Sequence, residues 1–165
     1  MILIALGGNL ASAAGLPAQT LNAACDFLAC HGVILASLSP YYVTPAWPDP
    51  ADPPFVNAVA SVATALAPAE LMQILHQTET RFGRVRSARN APRTLDIDLV
   101  DYEGRVEAGP PVLPHPRLAE RAFVLVPLYD IAPNWRHPAT GRTIGELLDA
   151  LPAGARCLER LNARA

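Results

Sequence analysis

Two carboxylates separated by one residue, Asp96-Ile97-Asp98, are the sharpest chemical signal in this sequence. On a strand, residues two apart face the same side, so both carboxylates project together, about 6–7 Å apart at their origins. Leu95, Ile97 and Leu99 then face the other way, into a core. Like charges side by side repel unless a cation lies between them. Hard oxygen ligands favour Mg²⁺, bridging to substrate phosphates. The bland alternative is an exposed strand face that happens to be acidic. If repulsion dominates the empty site, removing either carboxylate should leave the fold intact or slightly stabilise it.

The cations sit next to the acids. All 13 basic residues are arginine, and Arg81, Arg84, Arg86, Arg89 and Arg93 fall within thirteen positions. Guanidinium forks match phosphate oxygens bidentately and stay charged. An arginine run read alone is a solvated face or a weak nucleic-acid patch. Here it leads straight into the acids, Arg93-Thr94-Leu95-Asp96-Ile97-Asp98. Metal-binding acids beside phosphate-binding cations form the constellation that phosphoryl transfer demands. The absence of lysine excludes a Walker-type P-loop and lysine Schiff-base chemistry.

Other residues are weaker signals. Phe55-Val56-Asn57 places an aromatic ring and an amide on one face of another strand. The ring offers a stacking surface and the amide both a donor and an acceptor, though core packing explains the pair as well. His115 lies in a proline-fixed loop, where a lone histidine is more often structural; with Arg121 six residues on, a second phosphate contact is the functional alternative. Trp47, among prolines, is either a lid anchor or a packed loop residue. Cys25, Cys30 and Cys157 have no CxxC spacing, which disfavours a disulfide framework or a zinc site.

The elements that must hold these groups follow from periodicity. Met1 to Leu6 reads as a buried strand, 17–31 as a helix stopped by Gly32, and 33–42 as a strand. A proline-rich loop follows. Residues 55–66 alternate as a strand, 68–82 form a helix, and 95–100 form the acidic strand. A short hairpin after Gly104, a loop at 114–117 and helices at 122–131 and 143–151 complete the chain. This order predicts an α+β, ferredoxin-like split βαβ sandwich with an antiparallel sheet and a helical C-terminal extension.

With 165 residues, 51% of them hydrophobic, the chain reads as a single domain, 1–165, with one sizeable core. No apolar run is long enough to span a bilayer, and the start lacks the basic flank of a signal peptide. A cytoplasmic protein is expected. A net charge of -2 implies no nucleic-acid or anionic-membrane surface.

Four segments together resemble the hydroxymethyl-dihydropterin pyrophosphokinases. They are Ala5 to Leu10, then Tyr42 to Pro45 with Phe55 to Ala58. The third is Gly83 to Arg86 running to Pro92-Arg93-Thr94-Leu95-Asp96-Ile97-Asp98-Leu99. Leu113 to Arg117 through Arg121 to Leu128 makes the fourth. The resemblance implies transfer of the β,γ-pyrophosphoryl group of ATP to the hydroxymethyl oxygen of the dihydropterin, releasing AMP. It implies that Asp96 and Asp98 hold two Mg²⁺ ions. Phe55 and Phe123 would sandwich the pterin, with Thr44, Pro45, Asn57 and the backbone near Trp47 at its edge. Glu79, Arg84, Arg86, Arg89, Arg93, His115 and Arg121 would line the ATP site, with Arg84, Arg86 and Arg93 also catalytic. A monomer, with these two small molecules as its partners, is expected.

The resemblance is imperfect at a few positions. Gly8 stands where serine is common, a change expected to matter little in a tight turn. Asn90 and Ala91 replace a bulky aromatic and a glycine, which weakens the carry-over to Arg89. Residues 83–92 are expected to be mobile without ligand and to close over bound nucleotide. Two alternatives stay open on the residues alone, a non-catalytic pterin- or nucleotide-binding paralogue and a small RNA-binding module. Release of AMP separates them.

Overall fold

Strand β1 (Ile2–Gly8) is buried along its entire length. Such a strand, apolar on both faces, needs cover on both. In the computed structural model, which describes residues 1–47, 49–85 and 91–161, helices supply that cover. Ile2, Ile4 and Leu6 pack with Leu21 and Leu28 of α1 (Pro17–Cys30) and with Leu71 and Leu75 of α2 (Pro68–Arg81). Leu3 and Ala5 point the other way, toward Leu125 and Leu128 of α3 (Ala122–Ile131) and Leu147 of α4 (Ile144–Asp149). The C-terminal helices therefore form a third layer.

The sheet is antiparallel, in the order β5 (Asp96–Tyr102), β1, β4 (Phe55–Ala63), β3 (Tyr42–Thr44), β6 (Glu159–Arg160). A sixth strand, β2 (Ile34–Leu38), pairs with the far half of β4. The α+β class and the antiparallel sheet match the sequence expectation.

Two details differ from it. The single strand expected at 33–42 is two strands broken at Ser39-Pro40, where the Ser39 hydroxyl accepts from Val59 N at 3.0 Å. Proline lacks the N–H that a continuous ladder needs. Strand β6 was not anticipated, because two residues are too short to show a period.

Both long helices begin with proline, which loses nothing at a first-turn position. One turn in, Gln19 and Glu70 reach back to accept from the Leu16 and Ala67 N–H groups, each at 2.8 Å. Helix α2 ends ahead of Gly83, whose φ of +83° lets the chain reverse and carry Arg84 back toward β5. Among the described residues, no helix is long and apolar enough to cross a membrane.

Candidate active site

Strand register sets the site. Asp96 lies opposite Gly7 and Asp98 opposite Ala5 on β1. Gly7 in turn lies opposite Asn57 on β4, and Asn57 opposite Tyr42 on β3. Directly paired residues share a face, so the two acids and the amide rise from the same side of the sheet. Leu95, Ile97 and Leu99 are buried on the other side, as the alternation requires. Helices α3 and α4 cover only part of the acidic face. What they leave open is a cavity of about 470 Å³.

One end of that cavity holds the charges. The carboxylates of Asp96 and Asp98 are 30% and 32% exposed, and both line it. Each is ion-paired. Arg84 bridges Asp96 and the buried Glu79, and Arg93 Nη1 reaches Asp96 Oδ2 at 3.0 Å. Arg121 Nη1 reaches Asp98 Oδ2 at 2.5 Å. Burial works against the Arg84 charge, but Asp96 and Glu79 outweigh it, so its pKa is raised and it stays protonated.

His115 Nε2 lies 3.8 Å from Asp98 Oδ2, while its Nδ1 accepts from Arg117 N at 3.1 Å. Burial pushes the His115 pKa down, opposed by Asp98 and assisted by Arg121 and Arg117. Neutral imidazole follows, with its remaining proton on Nε2, facing the acid.

The other end is aromatic. Phe55 and Phe123 both line the cavity, and each ring carries a guanidinium. Arg93 sits 5.7 Å from the Phe55 centroid, and Arg121 5.5 Å from that of Phe123. The Asn57 amide donates to Thr44 Oγ1 at 2.9 Å. Its carbonyl oxygen occupies space that only glycine leaves, since a Cβ on Gly7 would stand 2.8 Å from it. Pro45 and Trp47 close this end; Trp47 is 69% exposed, which excludes the packed-residue reading.

Asn57→Ala should therefore weaken binding of a flat heterocycle here by about 1–3 kcal/mol, the loss from an unpaired polar partner. Nucleotide affinity should stay unchanged. Calorimetric titration of each ligand separates the two, and equal losses would make Asn57 a structural residue only.

The carboxylates also suit magnesium. They offer hard oxygen donors on a part-exposed face. Among the described residues, no group of three or more His, Cys, Asp or Glu side chains converges to hold a metal. Two carboxylates completed by water and phosphate oxygens is the pattern Mg²⁺ adopts in phosphoryl-transfer sites.

Residues 3–133 match the family described as 7,8-dihydro-6-hydroxymethylpterin-pyrophosphokinase (HPPK). The chain belongs to this family. It is 42% identical over 154 residues to the 2-amino-4-hydroxy-6-hydroxymethyldihydropteridine pyrophosphokinase of Pseudomonas aeruginosa, covering 92% of this chain and 91% of that one. Identity to the enzyme of the same name from Methylorubrum extorquens is 38% over 158 residues, covering 94% and 97%. For the Synechocystis enzyme it is 37% over 154 residues, covering 92% and 76%.

Against the residues expected from the sequence, the cavity gathers Thr44, Pro45, Trp47, Phe55 and Asn57 from one side. Arg93, Asp96, Asp98, Arg121 and Phe123 come from the other. Glu79 is not among its lining residues. It is buried behind β5, where Oε1 accepts from Ile97 N at 2.8 Å and pairs with Arg84. It thus positions the acidic strand and an arginine of this pyrophosphokinase. Arg84 and His115 reach the site through the two acids. Arg86, Arg89 and Asn90, and with them the middle of the expected lid (86–90), lie outside the described residues.

Sequence reasoning missed Asn9. Buried at the end of β1, it accepts from Arg93 N at 2.7 Å through Oδ1 and donates to Pro53 O at 2.9 Å through Nδ2. One amide thereby ties the arginine arm to the proline-rich loop. Its only sequence signal was an amide directly after two glycines. Asn9→Ala should lower stability by about 2–3 kcal/mol by stranding two backbone groups, read from the urea midpoint at unchanged m-value. A change below about 0.5 kcal/mol would mean that these groups find other partners.

Gly8 also differs from expectation. It belongs to β1, and a Cβ there would stand 2.4 Å from the Thr94 carbonyl oxygen. Serine at this position would push the 93–94 backbone away, so the glycine sets how closely Arg93 approaches β1.

Proposed function

We propose that this cavity carries out the family's reaction with its two substrates laid along one face of the sheet. The enzyme transfers pyrophosphate from ATP to the hydroxymethyl group of 6-hydroxymethyl-7,8-dihydropterin, releasing AMP, in folate biosynthesis. The observation that carries the reading is one cavity lined together by two carboxylates, two arginines that bridge them to two phenylalanine rings, and an amide.

Phe55 and Phe123 hold the pterin ring between them. Asn57 and Thr44, already hydrogen-bonded to each other, read its amino-pyrimidinone edge. Arg93 and Arg121, one at each phenylalanine, take the phosphates. Arg84 and His115 support this set through Asp96 and Asp98, and the family resemblance adds Arg86 and Arg89 to the ATP site. Asp96 and Asp98 would hold two Mg²⁺ ions. Those ions, when bound, would neutralise phosphate oxygens as the leaving AMP departs.

The substrate's own hydroxymethyl oxygen is the nucleophile, so the protein's part is alignment and charge stabilisation. Arg93 and Arg121, paired with Asp96 and Asp98 in the free protein, would offer their guanidinium groups to phosphate. One chain supplies both ends of the cavity, which supports a monomer; we place it in the cytoplasm. The β5-β1-β4-β2 order supports a ferredoxin-like core beneath the third layer.

The direct experiment follows nucleotide products by anion-exchange chromatography with ATP, Mg²⁺ and the pterin alcohol. AMP should appear in step with pterin diphosphate. Folded protein that yields no AMP, or ADP in its place, would overturn this reading.

A further inference from the structure

The C-terminal segment beyond α4 returns to the sheet and ends at the cavity. Strand β6 pairs with β3, Arg160 opposite Tyr42 and Glu159 opposite Val43. Leu161 N extends the ladder to Tyr41 O at 2.8 Å. Side chains lock the same contact. The Arg160 guanidinium donates to the Tyr42 hydroxyl at 2.9 Å and to Asp130 Oδ1 at 2.8 Å. The Tyr42 hydroxyl donates in turn to Asp130 Oδ2 at 2.5 Å, so strand, helix α3 and C-terminal segment share one network. Just before it in sequence, Ala155 and Leu158 line the cavity. The family match ends at residue 133, well before them.

The sheet order says which end of the cavity they serve. Strand β6 lies four strand spacings from β5, about 19 Å across a sheet with strands about 4.8 Å apart. It is therefore remote from Asp96 and Asp98. It adjoins β3, which supplies Thr44 and leads into Pro45.

We propose that Ala155 and Leu158 form an apolar wall of the pterin subsite, in which Leu158 contacts the heterocycle and the Arg160–Tyr42–Asp130 network holds the wall in place. The inference rests on the pyrophosphokinase reading above. On it, Leu158 is a specificity-determining residue and Arg160 a positioning residue. Both act on the pterin and neither on the nucleotide. An apolar contact made equally in ground and transition states lowers KM without raising kcat.

The test is steady-state kinetics of Leu158→Ala, Leu158→Met, Arg160→Gln and Arg160→Lys, with each substrate varied in turn. A parallel titration of the pterin alcohol by calorimetry uses a non-hydrolysable ATP analogue as the companion ligand. Leu158→Ala should raise the pterin KM about tenfold, the discrimination typical of lost carbon in an apolar pocket. Its kcat and its KM for ATP should stay within about twofold of wild type. Leu158→Met should restore most of the loss. Arg160→Gln should raise the pterin KM in the same direction, with Arg160→Lys recovering part of it through Asp130.

A pterin KM unchanged in folded Leu158→Ala would overturn the proposal. So would equal rises for both substrates, which would mark the segment as general scaffolding. Wild-type protein that releases no AMP would instead sink the functional reading on which it rests, so the two failures are distinct.

Discussion

Asp96→Ala and Asp98→Ala should each lower kcat by about 10³-fold or more while the protein stays folded. The magnitude follows from losing a magnesium ligand whose charge stabilisation is worth several kcal/mol, at about 1.4 kcal/mol per tenfold in rate. Stability should move the other way from what repelling carboxylates suggest. Asp96 is shared by Arg84 and Arg93, and Asp98 is held by Arg121, so the empty site contains ion pairs in place of bare repulsion. Deleting either acid strands part-buried guanidinium groups, and Tm should fall by about 2–4 °C. Single-turnover kinetics and thermal unfolding of the same preparations provide both readings. Near wild-type turnover in either variant would remove these carboxylates from the metal site, and a raised Tm would show that repulsion dominates after all.

Arg93→Ala should lower turnover by about 10³-fold, within the range for arginines that stabilise a transferring phosphoryl group. On the proposed reading it acts at the reacting centre, and three observations support that. It lines the cavity, pairs with Asp96 at 3.0 Å and lies over the Phe55 ring. Ground-state binding of an ATP analogue should weaken far less than turnover, because the charge it meets develops during transfer. Arg93→Lys should recover little, since an ammonium cannot reproduce the planar fork that also stacks on Phe55. Loss confined to nucleotide affinity, with the chemical step intact in single turnovers, would reduce Arg93 to a binding residue.

Local sequence carried the charged part of the site well. Asp96 and Asp98 announced themselves because a strand's two-residue period is short and their apolar neighbours complete it. Phe55 and Asn57 were legible for the same reason. The family resemblance then supplied Phe123 and Thr44, which lie on separate elements and share no local pattern with Asn57. What stayed hidden depends on contacts between distant segments. Asn9 joins positions 44 and 84 residues away, and nothing in its neighbours signals that. Pro40 interrupts a run of strand-forming residues, and the exchange of hydrogen bonds between Ser39 and Val59 that fixes the break is a long-range contact. Glu79 looked like a ligand contact on a helix beside the arginines. Its burial and its bond to Ile97 N are set by how α2 docks on β5.

The row Asp96–Gly7–Asn57 has a consequence for how this enzyme can vary. From β5 to β4 is two strand spacings, about 10 Å, and that interval is set by backbone hydrogen bonds. On the proposed function the sheet works as a ruler, with the phosphate chemistry at one graduation and the pterin edge at another. Side-chain rotation cannot stretch it. Slippage of β1 by one residue would turn Gly7 to the opposite face, and in one direction it would bring Leu6 up between acid and amide. Loops around the cavity can therefore lengthen, shorten or change composition while the reacting atoms keep their separation. A single insertion or deletion within β1 would reset the scale and abolish transfer, even where every side chain of the site remained present.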